Sequence, residues 1–249
     1  MKNLPSGTCI EERRRAYLCY GTIGCSFGWF FSARPSSLVR VKISNFEEEE
    51  SMTPEEEFAK NPLKFMKNNI VIAPSNIPNV DFNLFLFNFQ LSRSYFGKFP
   101  MGIKKINVYN LIPDRSKGKI LAYWCPYKQS GTCEIVVGNL ADFMFTVKMD
   151  GCSFGIAPPA GDGTRRVAHI NMFGQQNPRI KQKRVLEGMG LDDGIVDANV
   201  YMNLPGKAAA NATTFGIRDP NTNAWEFYYQ MSKFITGNQL RLMGVSKVT

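Results

Sequence analysis

The patterning of this chain predicts a mixed α/β fold of the α+β kind: a β-sandwich core flanked by a few helices. Three observations carry the prediction. From Asn69 onward, runs of aromatic and β-branched residues recur, separated by Pro, Gly, Asn or Asp. Helix signals are confined to one short segment before those runs and one within them. Hydrophobic content of 44% with 19 Phe in 249 residues is enough for a sizeable buried core.

The order of elements follows from local chemistry. Residues 1–51 stand apart as a leader or non-core extension. Arg13–Arg15 precede an uncharged stretch, Ala16–Ala33, and a small-x-small ending, as in a secretory leader. That stretch contains three Gly and is too polar to predict a membrane span. An extension outside the working protein, with Met52 as the start, is an equal reading, and a folded strand is a third. Residues 52–249 read as a single catalytic domain.

Thr53-Pro54-Glu55-Glu56 is a helix start, with Thr53 as N-cap, Pro54 at the first helical position and Glu56 closing a capping box. Asn61-Pro62 ends it early. The acidic run Glu47–Glu50 suits a helix N-terminus and a solvated edge. Strands are then predicted at Ile70–Ile72, Phe82–Leu91, Ile103–Ile112, Lys119–Cys125, Cys133–Val137 and Phe143–Met149. Phe82–Leu91 carries apolar residues on both faces, as a doubly covered strand does. Cys152–Ala157 and Arg166–Asn171 read as a hairpin joined by turn residues. A helix over Arg179–Gly190 and the segments Ile195–Met202, Ala212–Ile217, Asn223–Ile235 and Gln239–Val245 complete the order.

The net charge is +9, of which residues 1–51 hold only +1. The remaining cations are mostly dispersed, and the densest run, Arg179–Arg184, reads first as a solvated helix face and second as a docking surface. No nucleic-acid motif accompanies it, so no nucleic-acid partner is expected. Of six Cys, Cys9, Cys19 and Cys25 lie in the leader-like segment. Cys125 and Cys133 flank what reads as a hairpin loop and could be bridged if the geometry allowed. Cys152 is left over. No C-x-x-C pair exists and scattered thiols with one His make no tetrahedral zinc set.

That one His, His169, lies seventeen residues after Cys152. A thiol and an imidazole on neighbouring strands are the minimum set for nucleophilic attack on an amide, with the imidazole holding the thiolate and then protonating the leaving amine. Gly151 before Cys152 permits a sharp corner, and a nucleophile there can leave main-chain N–H groups of Gly151 and Cys152 for an oxyanion. On a strand, Val167, His169 and Asn171 share one face while Ala168 and Ile170 point to the core. Asn171 is thereby a candidate orienting or cleft residue. Asp150 would oppose thiolate formation if it faced Cys152, and an Asp-Gly corner turns it away. Asp162 reads first as a turn residue and second as a partner orienting His169, a task a main-chain carbonyl can also perform.

The stretch FMFTVKMDGC…VAHIN resembles the active-site region of bacterial glutamine deamidase toxins of the Burkholderia lethal factor and cytotoxic necrotizing factor type. In that family a strand ends in a Ser-Gly-Cys corner, a His follows one hairpin later, and a backbone carbonyl on the strand before the Cys is the third element. Here Phe145-Thr146, Gly151-Cys152 and His169-Ile170 match the pattern, and Thr146 falls where that carbonyl is expected. Pro126–Gln129 resembles the lethal factor's Pro-aromatic-Lys-Gln segment. The likeness is clearest over residues 120–171. Two departures are Asp150 in place of the Ser and a longer Cys-to-His connector. The resemblance implies a deamidase-toxin-like fold and a secreted effector acting in the host cytoplasm. It would convert a host glutamine to glutamate through a thioester, with Cys152, His169 and Thr146 catalytic and no cofactor. A small GTPase or a translation-initiation helicase is the kind of host substrate implied. A monomer without stable membrane association is expected. A transglutaminase or cysteine protease using the same pair, or a non-enzymatic secreted binding module, are the alternatives.

Overall fold

The computed structural model describes residues 52–75, 77, 83–101, 104–114, 116–203 and 210–249, all within one compact unit, Glu50–Thr249. The leader, extension and strand expectations for residues 1–51, with Cys9, Cys19, Cys25 and Glu47–Glu50, lie outside the described residues. So do Phe82 and Ile103, where two strands were expected to begin.

The fold is α+β: a β-rich core with few helices. The chain opens with α1 (Pro54–Lys60) and α2 (Pro62–Asn68), then β1 (Ile70–Ile72), β2 (Leu84–Leu91), β3 (Phe96–Lys98), β4 (Lys105–Ile106), β5 (Val108–Pro113), β6 (Ile120–Cys125) and β7 (Thr132–Val137). It continues with β8 (Phe143–Thr146), β9 (Ser153–Ile156), β10 (Arg165–Ile170), α3 (Pro178–Gly188), β11 (Gly194–Val196), α4 (Ala198–Met202), β12 (Ala210–Arg218), β13 (Trp225–Phe234) and β14 (Gln239–Lys247). Ten strands form one sheet in the order β1-β5-β2-β6-β8-β12-β13-β14-β3-β4, and four form another, β11-β9-β10-β7.

The layers follow from which residues alternate inward. Tyr123, Cys125, Met144, Ala212 and Phe227 of the large sheet meet Ile135, Phe154, Ile156 and Val167 of the small one. The opposite face of the large sheet buries Phe85, Phe87, Leu111, Trp124, Phe145 and Phe215 under Phe58, Phe65 and Met66 of the first two helices. The outer face of the small sheet, with Ala168 and Ile170, is covered by Leu186 of α3 and by Leu191. Gly155 has to be glycine there, because a Cβ would come within 2.7 Å of the Leu191 carbonyl.

Thr53 and Glu56 form the expected capping box, but Asn61 does more than end α1. Its side chain accepts from Lys64 N at 3.0 Å and starts α2 on Pro62. Glu55 is not solvated. It is buried and its Oε1 accepts the Phe89 N–H at 2.7 Å, tying α1 to β2. In β2 only the Phe85/Phe87/Phe89 face is fully buried, so the doubly covered reading fails beyond Leu84. Ile103–Ile112 is two strands: β4 pairs with β3 while β5 pairs with β1 and β2. Ile195–Met202 is likewise β11 followed by α4, because Asp197 accepts from Asn199 N and caps a helix.

Dispersed cations also gather through register. Lys105 lies opposite Lys98, Lys98 opposite Arg241, and Arg241 opposite Lys233. Like charges across strands cost stability, and this row ends on the open edge strand β4, where lysine discourages pairing with another chain. No helix of the described residues is long and apolar enough to cross a membrane.

Candidate active site

Cys152 sits at the entry of β9 and His169 near the end of β10, and these strands pair as the expected antiparallel hairpin, with His169 opposite Phe154 and Ile170 opposite Ser153. β10 is paired on both edges, by β9 and β7, and its two faces are covered by the large sheet and by α3. Val167 points between the sheets, and Ala168 and Ile170 point under α3. His169 is therefore no edge imidazole: it is 1% exposed, and Cys152 is 4% exposed.

Thr146 reaches His169 with its side chain. The Thr146 hydroxyl donates to the Cys125 carbonyl at 2.8 Å, and the same Oγ1 lies 2.8 Å from His169 Nδ1. With its proton committed to Cys125, Oγ1 is an acceptor toward the ring, so Nδ1 carries the imidazole proton. The base nitrogen, Nε2, is then an unprotonated lone pair, buried and without a hydrogen-bond partner among the described residues. The expectation of a Thr146 main-chain carbonyl in this role is corrected to its hydroxyl. The geometry of adjacent parallel strands explains it: Cys125 of β6 is in register with Thr146 of β8, and both side chains face the small sheet.

Asn171 holds the thiol. Its Nδ2 donates to Cys152 Sγ at 3.1 Å, and its Oδ1 accepts the Phe173 N–H at 2.7 Å, which fixes the amide's orientation. Its main-chain N–H is bound to the Gly131 carbonyl at 2.9 Å, so the loop after β6 anchors it. From that loop Tyr127 lays its ring edge-on to His169, centroids 5.7 Å apart, while remaining 38% exposed.

Gly151 has φ +89, the left-handed region that favours glycine. Its N–H donates to the Tyr201 hydroxyl at 2.9 Å, and that hydroxyl donates to the Cys152 carbonyl at 2.7 Å. Gln182 Nε2 donates to the Gly151 carbonyl at 3.1 Å, and Gln182 Oε1 accepts from Ser153 Oγ at 2.6 Å. Tyr201, Gln182 and Ser153 were not singled out from sequence. Tyr201 lies in Ile195–Met202, a segment for which the sequence predicts no element type and no site residue. Gln182 was hidden in the basic run of α3, although it stands one turn before Leu186 on the buried face. The run's reading as a solvated face holds for Lys181, Lys183 and Arg184, which are exposed, and fails at Gln182.

Asp150 is exposed; its main-chain N–H lowers the Cys152 pKa, and its charge, a smaller effect, raises it. Asp162 does not reach His169. Its Oδ1 is taken by the Thr164 N–H and hydroxyl, in the turn at the opposite end of the hairpin. Cys125 and Cys133 are both free thiols, as is Cys152. Cys125 Sγ contacts the Cys133 carbonyl at 3.6 Å, and their strands belong to different sheets, so no hairpin brings the two sulfurs into a bridge. Among the described residues no cluster of His, Cys, Asp and Glu suits a metal ion.

Burial dominates the electrostatics. It pushes the Cys152 thiol above its ordinary value, against the lowering effect of the Asn171 amide. It pushes His169 down to about 4. The resting pair is therefore a neutral thiol and a neutral imidazole with no hydrogen bond joining them, in place of the expected thiolate–imidazolium pair. Separating charge in a dry site costs more than the attraction returns until a polar substrate enters. Alkylation of Cys152 by iodoacetamide is accordingly expected to be slow at pH 6 and to rise steeply above pH 8. Equal rates at the two pH values, read by mass spectrometry of the Cys152 peptide, would contradict a neutral resting thiol.

No known protein family matches the sequence, and no curated protein matches it. Among solved structures, the chain is similar to the crystal structure of the C-terminal domain of CNFy from Yersinia pseudotuberculosis. The identity is 9%, the match covers 78% of this chain and 96% of that chain, and the TM-score is 0.41.

Proposed function

We propose that this protein is a secreted toxin-type effector that deamidates a glutamine side chain of a host protein. The observation that carries the reading is the ordered chain Cys125 carbonyl, Thr146 hydroxyl, His169 imidazole, with a bare Nε2 in a buried cluster that also holds Cys152 and its Asn171 donor. A thiol, a neutral base and a side-chain donor are the parts needed for acyl transfer from an amide.

The substrate carboxamide brings its carbonyl to Cys152. His169 Nε2 takes the thiol proton as sulfur attacks, then delivers it to the departing ammonia. The Cys152 N–H, the corner donor that Tyr201 and Gln182 do not engage, and the Asn171 amide stabilise the oxyanion. Water, deprotonated by the same Nε2, then hydrolyses the thioester. The product glutamate places a negative charge where the host protein had a neutral amide. A small GTPase or a translation-initiation helicase is the class of target this reading favours.

The test is peptide mass spectrometry of host-cell extract treated with the wild-type protein and with Cys152→Ser, with a primary amine added in parallel. A site-specific glutamine-to-glutamate change lost in the variant supports deamidation and identifies the target. Amine adducts in place of glutamate would move the reading to transglutamination, and new chain termini to proteolysis.

A further inference from the structure

We propose that Gln182 and Tyr201 are positioning residues that aim the Cys152 main-chain N–H as an oxyanion donor, by locking the one peptide unit at the corner that is free to flip. The proposal rests on the reading of Cys152 as an acyl-forming nucleophile, but not on which amide it attacks.

The peptide unit is planar. The Gly151 carbonyl and the Cys152 N–H belong to the same trans unit, so they point in opposite directions. Whatever holds the carbonyl therefore sets the direction of the N–H. Gln182 Nε2 holds that carbonyl at 3.1 Å, and Gln182 is itself 1% exposed and fixed by the Ser153 hydroxyl at 2.6 Å. A hydrogen bond to the carbonyl also polarises the unit and strengthens its N–H as a donor.

The unit needs such a lock because glycine adopts both signs of φ at little cost, and Gly151 stands at φ +89. Rotation of the 151–152 peptide would exchange carbonyl for N–H on the side facing the substrate. The Tyr201 hydroxyl opposes that rotation from both ends. It receives the Gly151 N–H at 2.9 Å and gives its own proton to the Cys152 carbonyl at 2.7 Å, bracketing the rotating unit. Tyr201 is fully buried among Ala198, Met149 and Ala212, so its hydroxyl has no competing water. Two side chains from two helices thus make three hydrogen bonds to three consecutive peptide units, with the 151–152 unit in the middle.

Two reagents that attack the same thiol separate this role from general support of the site. With p-nitrophenyl acetate, the sulfur adds to the ester carbonyl, and the electron pair moves onto oxygen as an oxyanion. Collapse then expels p-nitrophenolate and leaves S-acetyl-Cys152. With iodoacetamide, sulfur displaces iodide at a saturated carbon and no oxyanion forms. Both rates are read at pH 8.5 by mass spectrometry of the Cys152 peptide. Gln182→Met is expected to slow acylation about 10- to 100-fold relative to alkylation, less than outright removal of an oxyanion donor. Tyr201→Phe is expected to act in the same direction, and the ratio within each variant corrects for partial unfolding. Under the deamidation reading, kcat falls in both variants while KM is unchanged.

Parallel slowing of both reactions would make these residues mere supports of the corner, and unchanged acylation would remove their role; either overturns the proposal. Wild-type Cys152 that is alkylated but never acylated would overturn it as well. If the ratio shifts as expected but wild type converts no glutamine, the substrate reading fails and the aimed donor stands.

Discussion

Replacing His169 by Gln is expected to lower kcat by at least about 10⁴-fold, the scale on which the base of a nucleophile–base pair is missed. The chain has no second histidine to substitute for it, and His169 Nε2 is buried without a hydrogen-bond partner among the described residues, a lone pair free to act as base. The same variant should be more resistant to acid. Burial holds His169 at about 4 in the folded protein, against 6.5 for an unperturbed imidazole. Between those values the unfolded chain binds the proton and the folded one does not, so stability falls as pH drops from about 6.5 to about 4 and loses nothing more from this group below that. The loss amounts to about 3 kcal/mol. Gln carries no such proton. The difference in urea midpoint between pH 7 and pH 4.5 should be smaller in His169→Gln than in wild type; an equal difference would mean that the imidazole is protonated or solvated in the folded state.

Thr146→Val is the second large effect. Valine keeps the volume but removes a hydroxyl that donates to Cys125 and accepts from His169. The ring then has no reason to keep its proton on Nδ1, and the tautomer with Nε2 protonated cannot act as a base. A fall of about 10²-fold in kcat is expected, within the range general base catalysis contributes. Two buried groups, the Cys125 carbonyl and the Nδ1–H, lose their partner, so stability should drop by about 1–3 kcal/mol. Thr146→Ser restores the hydroxyl and should recover most of both. Recovery of stability without recovery of kcat would show that Thr146 supports the fold and does not set the tautomer.

What is legible in the sequence is what local chemistry specifies. The strand runs, the capping box at Thr53 and the Cys152–His169 hairpin depend on period-two patterning, turn residues and near neighbours. Thr146 was legible as a position, by resemblance, but not as a hydroxyl contact, since that depends on β6 lying in register beside β8. Gln182 and Tyr201 come from helices 31 and 50 residues away from Gly151. A polar residue on a buried helix face looks, in sequence, like its solvated neighbours. The local signal for α4 is the Asp197 cap alone, one residue in front of a five-residue helix. The neutral resting state of the pair was not legible either, because it follows from burial of both strand faces under α3 and the large sheet, which no local pattern encodes.

The most direct test of the central claim is the origin of the oxygen in the product. Host-cell extract would be treated with the wild-type protein in heavy-oxygen water, and the modified peptide sequenced by mass spectrometry. Thioester hydrolysis predicts one solvent oxygen in the new glutamate side chain, at a single glutamine, absent with Cys152→Ser. A target glutamine that ends as an amine adduct, or a target cleaved at its backbone with its glutamines intact, would contradict deamidation by Cys152.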